Sequence, residues 1–122
     1  MLKNIAFVAY PSKNVQSTRE WYERTLGMAF NMPVDEDGIE KYNEAPVGTG
    51  TFGLMTHEWI DRAPGSGTGV AFEVDDLDEA LTQLRAKGIA VDDPYETPVC
   101  KVASFEDPEG NKITLHQITV PH

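Results

Sequence analysis

Apolar and polar positions alternate most regularly near the end of the chain. Ile113, Leu115 and then Ile118 mark one side, and Lys112, Thr114 and His116 fall on the other. A period of two is that of a strand with one buried face. Just before it, Asp107-Pro108-Glu109-Gly110 has the residue order of a type I turn. Asp bonds the backbone from the first position, Pro presets φ at the second, and Gly takes the fourth. Val99–Glu106 and Lys112–Thr119 therefore read as a hairpin. Two other stretches carry the helical period. Val15, Thr18, Tyr22 and Leu26 form one stripe, capped by Asn14 and stopped by Gly27. Leu77, Ala80, Leu81 and Leu84 form the other. Asp76 caps it, Glu79 is placed to complete a capping box, and Gly88 ends it.

Short apolar runs between turn residues supply the remaining strands: Ile5–Tyr10, ended by Pro11, then Met28–Met32, Ile39–Asn43 and Thr51–Met55. Asp35-Glu36-Asp37-Gly38 and Gly48-Thr49-Gly50 are the turns that lead into the last two. His57–Arg62 fits a helical turn and Ala63–Gly67 a linker. Gly69–Val74 and the start at Ile89–Val91 are further strands, and Pro94–Pro98 is irregular.

This order repeats at a period of about 61 residues. Phe7 stands seven positions before the cap Asn14, and Gly69 stands seven before the cap Asp76. Each half reads strand–helix–strand–strand–strand, which makes 1–62 a first βαβββ module and 68–122 a second within one α+β domain. Two such halves sharing a surface would leave a cleft for a ligand.

Side chains alternate across a strand, so faces can be sorted. Val70, Phe72, Val74, Ile113, Leu115, Phe52, Leu54, Val8 and Tyr10 form the bulky apolar set expected under the helices. Ile5, Phe7, Ala9, Thr51, Gly53, Met55, Gly69, Ala71, Glu73, Thr114 and His116 face the other way. Cys100, Val102, Ser104 and Glu106 join them. Such a wall, small or apolar with one acid and one imidazole, suits a small-molecule site. A closed core or a dimer contact is the competing reading.

Composition narrows the partners. The 122 residues carry a net charge of −10, from 20 acidic and 10 basic side chains. Nucleic acid, which needs a basic surface, is excluded. A cationic ligand would be favoured, although acidic charge also serves solubility. No apolar run is long enough to span a membrane. The start MLKNIAFVAYPSK lacks a cleavable signal pattern and reads as the first strand. The single cysteine, Cys100, leaves no intramolecular disulfide and suits a cytoplasmic setting.

With FVAYPSKNVQSTREWYERTLG in the first half, GVAFEVDDLDEALTQLRAKGI in the second and FEDPEGNKITLHQ at the end, the chain resembles the vicinal oxygen chelate superfamily. This is also called the glyoxalase/bleomycin-resistance/dioxygenase superfamily. The resemblance implies paired modules whose curled mixed sheets enclose a shared cavity, and often a homodimer. Members include lyases, isomerases, dioxygenases, thiol transferases and non-catalytic antibiotic binders, so the fold alone does not give the function. Metal-dependent members place His, Glu or Gln on the first and last strand of each module. By register those positions here are Phe7, Gly53, Gly69 and Thr114. None is a normal ligand of zinc or of a hard cation. The expectation is a protein with no cofactor. A divalent metal at a displaced site is the alternative, built on Glu73 and His116 with a third ligand from Glu40, Glu44, Cys100 or a partner chain.

Glu73 and His116 could also act as an acid–base pair, or simply hold two strands in register. Cys100 could be a nucleophile deprotonated by His116, or a small buried hydrophobe. Tyr42 and Trp59 are candidates for stacking on a ligand, whereas Trp21 is expected to pack. His57 reads as exposed loop and His122 as a disordered terminus. The reading is a small-molecule binder with Phe7, Tyr42, Met55, Trp59, Cys100 and Thr114 as ligand contacts. The alternatives are an enzyme of the family using a displaced metal or the Glu73/His116 pair, and a structural subunit with a filled cavity.

Overall fold

The computed structural model describes residues 1–33, 37–60, 62–66 and 69–120. The chain divides into two compact units, residues 1–67 with 107–111, and residues 68–106 with 112–122.

In the first unit β1 (Val8–Ser12) is followed by α1 (Val15–Leu26), β2 (Tyr42–Val47), β3 (Gly50–Thr56) and the short α2 (His57–Ile60). The sheet order is β1-β3-β2, with β1 parallel and β2 antiparallel to β3. Pro11 does not end β1 as expected. It lies inside an edge strand, where a residue without an N–H is tolerated. Ser12, fully buried, extends the strand instead, and Val8 at its start is largely exposed. Asn14 caps α1 by accepting from the Ser17 amide at 3.0 Å, and Gly27 ends it in the left-handed region at φ 69°. Val15, Thr18, Trp21, Tyr22 and Thr25 are the buried stripe, so Trp21 packs as expected, edge-on to Tyr22. Leu26 is only half-buried. Tyr22 also packs on Phe52 of β3, their ring centroids 5.1 Å apart.

Among the described residues of this unit, one expected strand does not form and one starts later. Met28–Met32 forms no strand: the Asn31 amide donates to the Glu44 carbonyl at 3.1 Å, and the next bonds go to the side chain of Asn43. Its Oδ1 accepts from the Met32 amide at 2.9 Å, and its Nδ2 donates to the Met32 carbonyl at 3.3 Å. The strand expected at Ile39–Asn43 starts later, at Tyr42. Asp35 and Glu36 of the expected turn lie outside the described residues.

The turn 107–111 belongs to this first unit, while the strands on either side of it belong to the second. Asp107 is buried and accepts from Tyr22 Oη at 2.9 Å, from the amides of Glu109 and Asn111, and from Asn111 Nδ2. Burial, reinforced by Asp107, raises the Tyr22 phenol far above its usual range. Asn111 donates to the Pro11 carbonyl, and Glu109 accepts from the Lys13 amide at 2.6 Å and from Thr18 Oγ1. A β-turn is present where the sequence placed one, closed by the Gly110 amide on the Asp107 carbonyl at 3.1 Å.

The second unit runs β4 (Val70–Glu73), α3 (Leu77–Ala86), β5 (Tyr95–Glu96), β6 (Cys100–Glu106) and β7 (Lys112–Ile118). Its sheet order is β4-β7-β6-β5, with β4 parallel to β7 and the other pairs antiparallel. Asp76 caps α3 from the Glu79 amide, and Gln117 accepts from the Leu77 amide at 2.8 Å. Glu79 accepts from Gln83, one turn further along α3. Leu77, Leu81 and Leu84 of α3 and Ala103, Phe105, Ile113 and Leu115 of the sheet are the buried apolar side chains here. The strand expected at Ile89–Val91 does not form. Gly88 turns at φ 82°, and the Ile89 amide closes the helix end on the Leu84 carbonyl. The two-residue β5 falls instead inside the stretch read as irregular. The fold is α+β with two mixed sheets, as the sequence pattern indicated.

Candidate functional site

Each sheet has one face under its helix and one face opposite. In the first unit Phe52, Leu54, Asn43 and Ala45 are buried on the helix side. The opposite face carries Phe7, Ala9, Tyr42, Glu44, Gly53 and Met55. Register puts Tyr42 across from Met55, Glu44 across from Gly53, and Ala9 across from Gly53 on the other side. Tyr42 organises this face. Its ring lies over Gly53, so that a Cβ there would stand 2.8 Å from the phenol oxygen. Phe7 meets the same ring edge-on at 5.6 Å. The phenol donates to Glu44 Oε1 at 3.0 Å. Burial, aided by that carboxylate, pushes the Tyr42 phenol up to about 12.

In the second unit the opposite face is more polar. Glu73 and His116 stand opposite each other in the β4–β7 register, with His116 Nδ1 2.5 Å from Glu73 Oε1. The second oxygen of Glu73 accepts from the Ile118 amide at 2.7 Å. The pair thus pins β4 to β7, and it is partly open to solvent. Two register steps away on the same face, Ser104 Oγ and Thr114 Oγ1 share a hydrogen bond of 2.9 Å. Cys100 is half-buried opposite Ile118, beyond the Val102–His116 pair. Its amide donates to Thr97 Oγ1 at 3.0 Å, and its sulfur lies 3.1 Å from the same oxygen.

Trp59 is 58% exposed and lines a separate groove of about 460 Å³ in the first unit. The groove runs between Ser12–Gln16, Gly38–Lys41 and Thr56. Phe7, Tyr42 and Met55 are not among its lining residues. His57, expected in exposed loop, is the half-buried first residue of α2, and His122 lies outside the described residues.

The four positions where the family's metal-dependent members carry ligands do not fit a metal. Phe7 offers a phenyl ring, Gly53 is overlain by a phenol, Gly69 has no side chain, and the Thr114 hydroxyl is engaged by Ser104. Glu40, a candidate for a displaced site, is held by Arg19 through Nε at 2.6 Å and Nη2 at 3.1 Å. That bond raises the already basic guanidinium further. Among the described residues no group of three or more His, Cys, Asp or Glu is placed to hold a metal ion.

The sequence pattern missed the Tyr42–Glu44 pair as a unit and the groove at Trp59. The first was readable in principle, because Tyr42 and Glu44 are two apart and share a face once the strand is placed at 42–47.

The family model of the glyoxalase/bleomycin resistance protein/dioxygenase superfamily matches residues 4–115. The chain belongs to this superfamily. No curated protein matches it. Among solved structures it is similar to TnmS3, an antibiotic binding protein from Streptomyces sp. CB03234. That match has 27% identity and a TM-score of 0.82, covering 97% of this chain and 98% of that one. It is also similar to a glyoxalase/bleomycin resistance protein from the same organism, with 29% identity and a TM-score of 0.77 over 93% of this chain and 100% of that one. Lactoylglutathione lyase from Agrobacterium tumefaciens shares the fold at 18% identity and a TM-score of 0.77, covering 95% of this chain and 94% of that one. Among the described residues no helix is long and apolar enough to cross a membrane.

Proposed function

We propose that this superfamily member binds a small organic molecule without a divalent metal and acts by sequestration or sensing. The ligand rests on Phe7, Tyr42 and Met55 of the first sheet. One observation carries the reading. Where a metal-dependent relative would present a ligand, this chain has Gly53, and the ring of Tyr42 fills the space above it. An apolar face with one oriented phenol suits a small organic ligand better than a bare cation. The antibiotic-binding activity of TnmS3, similar along nearly the whole chain, supports the same reading. A cytoplasmic homodimer is the setting we propose for it, on the single cysteine and the habit of the family. Elemental analysis after exhaustive dialysis, paired with native mass spectrometry against a panel of antibiotics, tests it. Saturable binding by metal-free protein is expected. A stoichiometric divalent ion that survives dialysis, and whose removal abolishes binding, would overturn it.

The Glu73–His116 contact supports a second reading, acid–base catalysis by the second unit. The carboxylate would orient the imidazole. Glu73→Gln and His116→Ala separate the two readings. Loss of turnover with ligand affinity retained would make the pair catalytic. Loss of stability alone would make it a clasp between strands.

A further inference from the structure

Glu44 is a half-buried carboxylate on a face otherwise made of Phe7, Ala9, Tyr42, Gly53 and Met55. Among the described residues its side chain has one hydrogen-bond partner, the neutral phenol of Tyr42, and no cation pairs with it. Glu40 is held by Arg19, while Asp107 and Glu109 each accept from two or more neutral donors. A carboxylate kept in partly apolar surroundings without a cation carries a desolvation cost that an incoming cation would relieve. The phenol gives a second constraint. Its proton is committed to Glu44, so the oxygen turned away from that bond can only accept. Its raised proton affinity keeps it in that form at neutral pH. The two aromatic rings, edge-on to each other, add faces that attract a cation.

We infer that the molecule bound on this face is an amine, carrying an ammonium group that donates to Glu44 and to the Tyr42 oxygen while its apolar part lies on Phe7 and Met55. The inference rests on the small-molecule reading above and supplies the ligand's charge and its donor. A phenol and a carboxylate thus stand where a metal would otherwise organise the ligand, and they select a donor rather than a chelating pair of oxygens. The net charge of −10 draws cations toward the protein from a distance, but the selection lies in Glu44.

The test titrates the intact ¹⁵N-labelled chain with three probes of one shape: 2-naphthylmethylamine, 2-naphthylmethanol and 2-naphthoate. Amide shifts in β2 and β3 report the binding. The amine is expected to bind about tenfold tighter than the alcohol, as one charge-assisted hydrogen bond with ring contacts would give, and the naphthoate weakest. Glu44→Gln keeps an acceptor for the Tyr42 phenol and should remove the amine's advantage while leaving the alcohol's affinity in place. Salt should weaken the amine and not the alcohol. If the alcohol binds as well as the amine, the small-molecule reading survives and the amine inference falls. If no probe shifts β2 or β3 at all, both fall for this face. If the amine's preference survives Glu44→Gln, another group selects it and the inference is wrong.

Discussion

The two sheets carry the same kind of core and opposite kinds of outer face. Under α1, Phe52, Leu54 and Ala45 pack with Tyr22, and under α3, Ala103, Phe105, Ile113 and Leu115 pack with Leu77 and Leu81. On the far side the first sheet presents two aromatic rings and a lone carboxylate, and the second an imidazole–carboxylate pair and a hydroxyl pair. Period-two alternation explains how this is possible. A strand's inward positions fix its packing, and its outward positions can change chemistry without disturbing the fold. The metal-binding relatives and this chain would differ just there.

The largest effect expected is at the turn that links the comparison. Asp107 belongs to the first unit and accepts four hydrogen bonds there, from Tyr22, two amides and Asn111. Asp107→Ala leaves several buried donors unpaired and should cost about 3 kcal/mol or more in urea unfolding. Tyr22→Phe, which removes one of those bonds, should cost about 1–3 kcal/mol. A smaller loss from Asp107→Ala than from Tyr22→Phe would show that the turn is not what anchors this unit.

Gly53→Ala comes next. The added Cβ meets the Tyr42 ring, and moving a packed ring should cost about 1–3 kcal/mol. In a Tyr42→Ala background the same change should be close to neutral, so the double-mutant cycle isolates the contact. Equal costs in both backgrounds would mean that the glycine serves the backbone rather than the phenol. On the second face the effects should be smaller. His116→Ala breaks a partly exposed pair and should change stability by no more than about 1 kcal/mol. Ser104→Ala, at the half-buried hydroxyl pair, should cost about 0.5–1.5 kcal/mol by the same unfolding measurement. Larger losses at either site would make the second face structural, and the contrast between the faces would disappear.

Much of the fold was legible because local chemistry and tertiary packing agreed. The caps at Asn14 and Asp76, the stops at Gly27 and Gly88 and the DPEGN turn are all used as their residue types suggest. The misses arose where a distant group overrode a local pattern. Met28–Met32 has strand composition, yet beyond one Asn31–Glu44 backbone bond it is the Asn43 side chain that holds Met32, and no strand forms. Pro11 reads as a terminator, yet an edge strand accommodates it. Phe7 and Met55 were legible as one face by alternation, whereas Tyr42 was read only as a residue for stacking on a ligand. The Tyr42–Glu44 bond was not legible, because a strand end set at Asn43, four residues early, left Glu44 outside the strand. The role of Glu109 in holding Lys13 and Thr18 spans more than 90 positions and has no local signal.

The most direct test of the central claim is the titration of ¹⁵N-labelled protein with 2-naphthylmethylamine before and after dialysis against EDTA. The account predicts the same affinity and the same shifts around Tyr42, Glu44 and Met55 in both samples. Binding that vanishes with EDTA and returns on adding a divalent metal would contradict it.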